Sequence, residues 1–206
     1  MTGTNPGGQP DRRDLIDTYL PVYDVVLTEH RTVEADVSTV FRAARDLDFL
    51  RIRTPVLTAS LFVRGLPARL SGKPSPELPD LRLFAEPTSS GLPGWLVLGQ
   101  VPDREIAFGA VGKFWQPDIE WRDVPLDRFA AFDESGWGKI GCHFLIRPNG
   151  PGRSVLSYEC RTATTDPESR RKMMRYWWLI RPFVGHILRA TLRTIAADAQ
   201  RSETID

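Results

Sequence analysis

The chain is poor in the residues from which metal and disulfide sites are built. Its 206 residues include two cysteines and three histidines. Cys142 and Cys160 lie too far apart for a zinc-ligand pair, and His30, His143 and His186 are scattered. A disulfide framework and a His/carboxylate iron site are therefore not expected, and the two thiols read as small residues of adjacent strands in a reducing compartment. Net charge is nearly absent too, at +1, so no global field draws in nucleic acid or an acidic substrate. No apolar run approaches the ~18 residues of a membrane span. Residues 1–13 carry Gly, Pro and Asn and no apolar stretch, so no signal peptide is expected and the location reads as cytoplasmic. Walker A, Gly-x-Gly-x-x-Gly, Gly-x-Ser-x-Gly and His-Glu-x-x-His patterns are all missing.

What remains is globular, with 41% hydrophobic and 26% charged residues. Residues 1–14 read as a disordered tail, 15–201 as one domain and 202–206 as a second tail. The run 22–33 is β-rich. Asp36 or Ser38 caps a short helix with Val37, Val40, Phe41 and Ala44 on its apolar face. Leu47, Phe49, Leu50 and Ile52 suggest another helical turn, 56–70 one or two short helices, and 73–79, with three prolines, a loop. Strands are expected at 95–101, 106–115, 126–132, 138–147 and 155–164, with turns at Pro102-Asp103 and at 149–152.

The last segment is the clearest. Asp166 suits an N-cap and Pro167 the first helical position. A stripe of Met173, Trp177, Ile180, Val184, Ile187, Leu188, Thr191, Leu192 and Ile195 follows at helical spacing. The helix should run about 33 residues, near 50 Å, with a kink at Pro182 and Gly185. A helix this long needs a broad apolar partner. The expected fold is α+β of the helix-grip type: a curved antiparallel sheet wrapped around the long C-terminal helix, its bending eased by glycines such as Gly109, Gly112 and Gly141.

This order of elements resembles the START-like proteins, the polyketide cyclase/dehydrase and lipid transport superfamily. A narrower likeness, to bacterial members without an assigned activity, rests on Pro102-Asp103-Arg104-Glu105-Ile106, Gly109-Ala110-Val111-Gly112-Lys113-Phe114-Trp115, Tyr158-Glu159-Cys160-Arg161 leading to Thr165-Asp166, and Tyr176-Trp177-Trp178-Leu179-Ile180-Arg181-Pro182. The resemblance implies a ligand cavity between sheet and helix. It brings no catalytic set with it, because binding proteins, cyclases and oxygenases share the scaffold.

The cavity reading enlists Phe108, Trp115, Phe144 and Tyr158 from the sheet, and Trp177, Ile180 and Val184 from the helix. Each also suits ordinary core packing. Glu159 and Arg161 share one strand face, within reach of Arg31 or Lys139. That cluster fits acid–base work or a solvated ion-pair ladder. His143 alternates against Ile140, Cys142 and Phe144, so it should face solvent if those three face the core. The basic residues of the last helix suit a solvated face, or else anionic lipid head groups or nucleic acid.

The first reading is therefore binding, transport or sequestration of a small hydrophobic molecule (a lipid, isoprenoid or polyketide-like aromatic). The protein would be a monomer or homodimer, with no cofactor, metal, nucleic acid or integral membrane association. A metal-free cyclase or dehydratase in the same cavity is the alternative. A third reading is an interaction domain acting through the basic helix and the loop 73–79.

Overall fold

The computed structural model describes residues 13–48 and 94–203. The expectations for the tail before Arg13, for Phe49, Leu50 and Ile52, for 56–70 and for the loop 73–79 lie outside the described residues. In chain order the elements are α1 (Leu15–Tyr19), β1 (Val25–Val33), α2 (Val37–Arg45), β2 (Trp95–Val101), β3 (Glu105–Gly112), α3 (Leu126–Phe129), β4 (Gly138–Pro148), β5 (Ser154–Thr164) and α4 (Pro167–Glu203). The strands form one antiparallel sheet in the order β1-β5-β4-β3-β2. With the long helix α4 packed on one face, this is the expected α+β helix-grip arrangement.

The helix starts follow local chemistry. Asp36 accepts the Thr39 amide at 2.7 Å and opens α2, which buries Thr39, Val40, Phe41 and Ala44 on one side. Asp166 accepts the Glu168 and Ser169 amides, both at 2.9 Å, the Ser169 hydroxyl at 2.6 Å and the Gly136 amide at 2.7 Å. Those four donors hold its carboxyl well below the usual carboxylate range, the Ser169 hydroxyl and amide contributing most. One residue thus starts α4 and ties it to the loop before β4.

On the inner face, Ile106 and Phe108 of β3, Cys142, Phe144 and Ile146 of β4, and Leu156 and Tyr158 of β5 point into one core. Val40, Phe41 and Ala44 of α2 close it, as do Leu188, Leu192, Ile195 and Ala199 of α4.

The outer face departs from the simple picture of one wet side. All eight residues of β3 are buried. Leu98, Ala107, Val111, Phe129 and Trp137 form a second apolar cluster there, with Leu15 and Tyr19 of α1 against it. Gly109 and Gly141 stand opposite each other on β3 and β4 and open the space. A Cβ on Gly109 would sit 2.7 Å from the Ile140 carbonyl oxygen and 2.8 Å from the Phe129 ring, and one on Gly141 would sit 3.3 Å from Leu20. These glycines serve close layer packing rather than bending alone.

A buried polar group fastens this second layer. Glu105 accepts the Leu15 and Ile16 amides at 2.9 and 3.4 Å, at the start of α1, and its Oε1 lies 2.6 Å from His143 Nδ1. Both side chains are almost fully buried. The solvent-facing placement of His143 is therefore corrected: the alternation was right, but α1 covers the face it points to.

Four further expectations change. Residues 126–132 hold no strand; Pro125 leads into the single turn α3, whose Phe129 fills the space over Gly109. Strand β3 ends at Gly112, so Phe114 and Trp115 lie in the turn after it. Asp14, assigned to the tail, pairs with Arg104 at 2.7 Å. Helix α4 runs to Glu203, two residues past the expected domain end, with Pro182 inside it.

Removing the Glu105 carboxylate leaves His143 and two amides without their buried acceptor. Glu105→Ala should cost about 3–5 kcal/mol in urea unfolding, and Glu105→Gln, which keeps an acceptor, distinctly less. A loss below about 1 kcal/mol for the alanine variant contradicts this role. Asp166 has a depressed folded-state value, so its stabilisation is present above the ordinary 3.8 and is lost as pH falls below it. The gap in thermal midpoint between the wild type and Asp166→Ala should therefore narrow on acidification below that value. A gap that stays constant contradicts the linkage.

Candidate functional site

The aromatic residues expected on the sheet converge. Phe108, Phe144 and Tyr158 form one cluster, with ring centroids 5.5 Å apart for Phe108–Phe144, 4.6 Å for Phe144–Tyr158 and 6.2 Å for Phe108–Tyr158. Trp95 of β2 extends it, 5.6 Å from Phe108. Val184 of α4 packs against the same core. Trp115 stands apart, at the end of the inner face where a Cβ on Gly138 would lie 3.3 Å from its ring. Ile180 and Trp177 are half-buried, one and two turns before Val184.

Burial along α4 is uneven. Met173 is buried, as are Gly185, Leu188 and most of the stripe beyond, yet no residue from 174 to 184 is fully buried. At Gly185 the helix approaches β1 closely enough that an added Cβ would be 3.4 Å from Leu27. At its start, Arg170 pairs with Asp24 at 2.7 Å. The helix is thus held at both ends, and its middle, although apolar, is left open among the described residues. A groove of about 630 Å³ runs there, lined among the described residues by Met174, Trp177, Trp178, Leu179, Arg181 and Pro182. Pro182 has no amide hydrogen, so the Trp178 carbonyl lacks its usual helical donor.

Glu29 of β1, opposite Tyr158 in register, pairs with Arg189 of α4 at the β1 edge of the inner face. The polar groups nearest the aromatic cluster are neutral. Cys142 and Cys160 sit directly opposite each other on β4 and β5, beside Tyr158, and both are free thiols. Burial pushes the Cys142 thiol and the Tyr158 phenol well above their ordinary values; Cys160 adds to both and Cys142 to Tyr158, while the Tyr158 hydrogen bond partly offsets the rise at Cys142. Both stay protonated near neutral pH and can orient a ligand carbonyl or hydroxyl. Neither supplies a base. On α4, His186 Nε2 is the buried side-chain nitrogen without a hydrogen-bond partner among the described residues.

Glu159 and Arg161 are on the other face. The Arg161 guanidinium meets Glu159 at 2.6 Å, Asp17 of α1 at 2.7 Å and the Leu20 carbonyl at 3.1 Å, while Thr28 donates to Glu159 at 2.9 Å. Burial disfavours the Arg161 charge, but the Asp17 and Glu159 carboxylates more than offset this and hold its value above the ordinary one. Lys139 turns instead to the Ala130 carbonyl at 3.0 Å. The network fastens α1 to the sheet and has no side chain in common with the inner aromatic cluster. Among the described residues no group of three or more His, Cys, Asp or Glu could hold a metal ion.

The sequence reading missed Glu105 with His143, Asp17, Trp95 and His186. One signal was available: Ile106-Ala107-Phe108-Gly109-Ala110-Val111 has no polar residue on either alternate face, as expected of a strand covered on both sides.

No family model and no curated protein matches the chain. Among solved structures it is similar to the Zhui aromatase/cyclase from a Streptomyces species (14% identity, TM-score 0.31, covering 86% of this chain and 94% of that one). It is also similar to norcoclaurine synthase from Thalictrum flavum, solved with dopamine and hydroxybenzaldehyde (13%, TM-score 0.35, 94% and 95%). A third likeness is to a protein from Arthrobacter aurescens solved by NMR (13%, TM-score 0.42, 92% and 90%). All are distant likenesses over most of the chain.

Thiol chemistry reads out the inner face. In the native protein at neutral pH a maleimide should modify half-buried Cys160 before Cys142, whose thiol is buried and held protonated, and both should react at once in denaturant. Equal native rates at the two sites contradict this placement.

Proposed function

We propose that the protein binds a small, mostly apolar molecule against the middle of α4, with Trp177, Ile180 and Val184 on the helix side and the aromatic cluster of Phe108, Phe144 and Tyr158 toward the sheet. Trp115 closes the far end. The observation that carries this reading is the segment 174–184, apolar in sequence yet without a fully buried residue, between two tightly held stretches of the same helix. The groove beside it meets this site at Trp177, is lined otherwise by Met174, Trp178, Leu179, Arg181 and Pro182 of the helix, and falls in the size range of small-molecule sites. Affinity comes chiefly from apolar burial. Tyr158 and the thiols provide orientation through their protonated donors. The role is binding, for transport or sequestration. Acid–base catalysis by Glu159 and Arg161 would require a substrate on the opposite face of the sheet, so the cyclase reading draws no support from their position.

An apolar fluorophore such as N-phenyl-1-naphthylamine tests the site. Covering roughly 100 Å² of indole is worth about 2.5 kcal/mol, so Trp177→Ala should weaken binding more than about tenfold. Val184→Trp should weaken it by filling the space, and the surface change Arg193→Ala should leave it unaltered. Probe binding indifferent to both Trp177→Ala and Val184→Trp in folded protein contradicts the proposal.

A further inference from the structure

The side of α4 turned away from the sheet is also unusual. Trp178 is 83% exposed, Leu179 62%, Phe183 47% and Met174 41%. At about 100° per residue these four span an arc of about 180°, with Arg171 and Arg175 inside it and Arg181 at its border. Helical segments that are apolar on every side normally have a partner on every side.

Charge narrows the choice of partner. From residue 169 to 197 the chain holds seven Arg or Lys and no Asp or Glu. Some of these cations are engaged, Arg170 with Asp24, Lys172 with Glu168 and Arg189 with Glu29. Arg171, Arg175 and Arg181 make no salt bridge among the described residues, although Arg171 lies near enough to Glu168 to favour its charge, and they are interleaved with the exposed apolar side chains. A second copy packed on this face about a two-fold axis would set arginines against arginines. An anionic interface accepts them. Trp, Leu, Phe and Met with interspersed Arg is the composition of a helix lying in the plane of a bilayer surface, where indole sits at head-group depth and arginine stems bend toward phosphate. No helix among the described residues is long and apolar enough to cross a membrane, so the contact is peripheral.

We propose that the arc of α4 from Arg171 to Phe183 docks on anionic phospholipid bilayers, with Trp178 as its anchor. The docking goes beyond the ligand reading and stands without a guest in the groove. It places the groove, which shares Trp178 and Leu179 with the docking arc, at the membrane surface from which an apolar molecule enters.

The test is sedimentation of the full chain with vesicles of phosphatidylcholine alone and of phosphatidylcholine containing phosphatidylglycerol. Binding is expected to the anionic vesicles, to fall with added salt, and to be much weaker to neutral ones. The double change Trp178→Ser with Leu179→Ser should lower partitioning more than about tenfold. The triple change Arg171→Gln, Arg175→Gln and Arg181→Gln should lower it roughly a hundredfold. Trp177→Ala should weaken the fluorophore and leave vesicle binding largely intact, which separates failure of the groove from failure of the docking face. Absence of sedimentation with anionic vesicles overturns the proposal. So does a wild-type dimer that the Trp178/Leu179 variant dissolves, which would assign the face to a second copy. A thermal midpoint lowered by several degrees in that variant, without vesicles, would assign the face to the chain's own packing and equally overturn it.

Discussion

Helix α4 is longer than the sheet that carries it. Its 37 residues rise about 55 Å, whereas the longest strands, at 11 residues, extend about 36 Å and five strands side by side about 19 Å. No orientation of such a helix on such a sheet buries its whole length. The molecule meets the constraint by holding the ends. Asp166 and Arg170 fix the start, and the close pass at Gly185 followed by Leu188, Leu192 and Ile195 fixes the second half. The open middle follows from the mismatch of lengths, and both functional proposals rest on it.

The sheet carries a second layer that divides its chemistry. Charged groups gather on the outer face, where Glu105 and His143 fasten the start of α1 and where Asp17, Arg161 and Glu159 hold its far end. The inner face keeps aromatic rings and neutral donors at its centre, with the Glu29–Arg189 pair at its β1 edge. This partition suits a receptor for an apolar guest better than an acid–base catalyst. The ionisable groups Glu105, Glu159 and Arg161 are engaged in joining layers, where an unpaired partner would be costly.

Much of the fold was legible in the sequence, because its signals are local. The strands at 95–101, 138–147 and 155–164 announced themselves by β-branched and aromatic runs between turn residues, and α4 by its cap, its proline at the first position and its stripe. What escaped was information held between elements. Five residues at Leu15–Tyr19 are too few to show a helical period, so nothing revealed that α1 covers the outer face. Alternation told which residues share a side of β4 but not whether that side is wet, and His143 was misplaced for that reason. Leu126 and Phe129 looked strand-like by residue type, whereas Pro125 before them starts a turn of helix. Among the candidate site residues, Phe108, Phe144, Tyr158 and Val184 were legible as one apolar face. The unequal burial along α4 was not, since the pattern of its stripe is uniform and the placement of its neighbours, the sheet and α2 among them, decides where cover ends.

Amide hydrogen exchange along α4 in the free protein tests the central claim most directly. Held at both ends and open between, the helix should exchange fastest from Met174 to Val184, including the turn weakened by Pro182, and much more slowly from Leu188 to Ala199. Uniform slow exchange from Met173 to Ala199 would mean that the middle is packed as firmly as its ends, and would contradict the account.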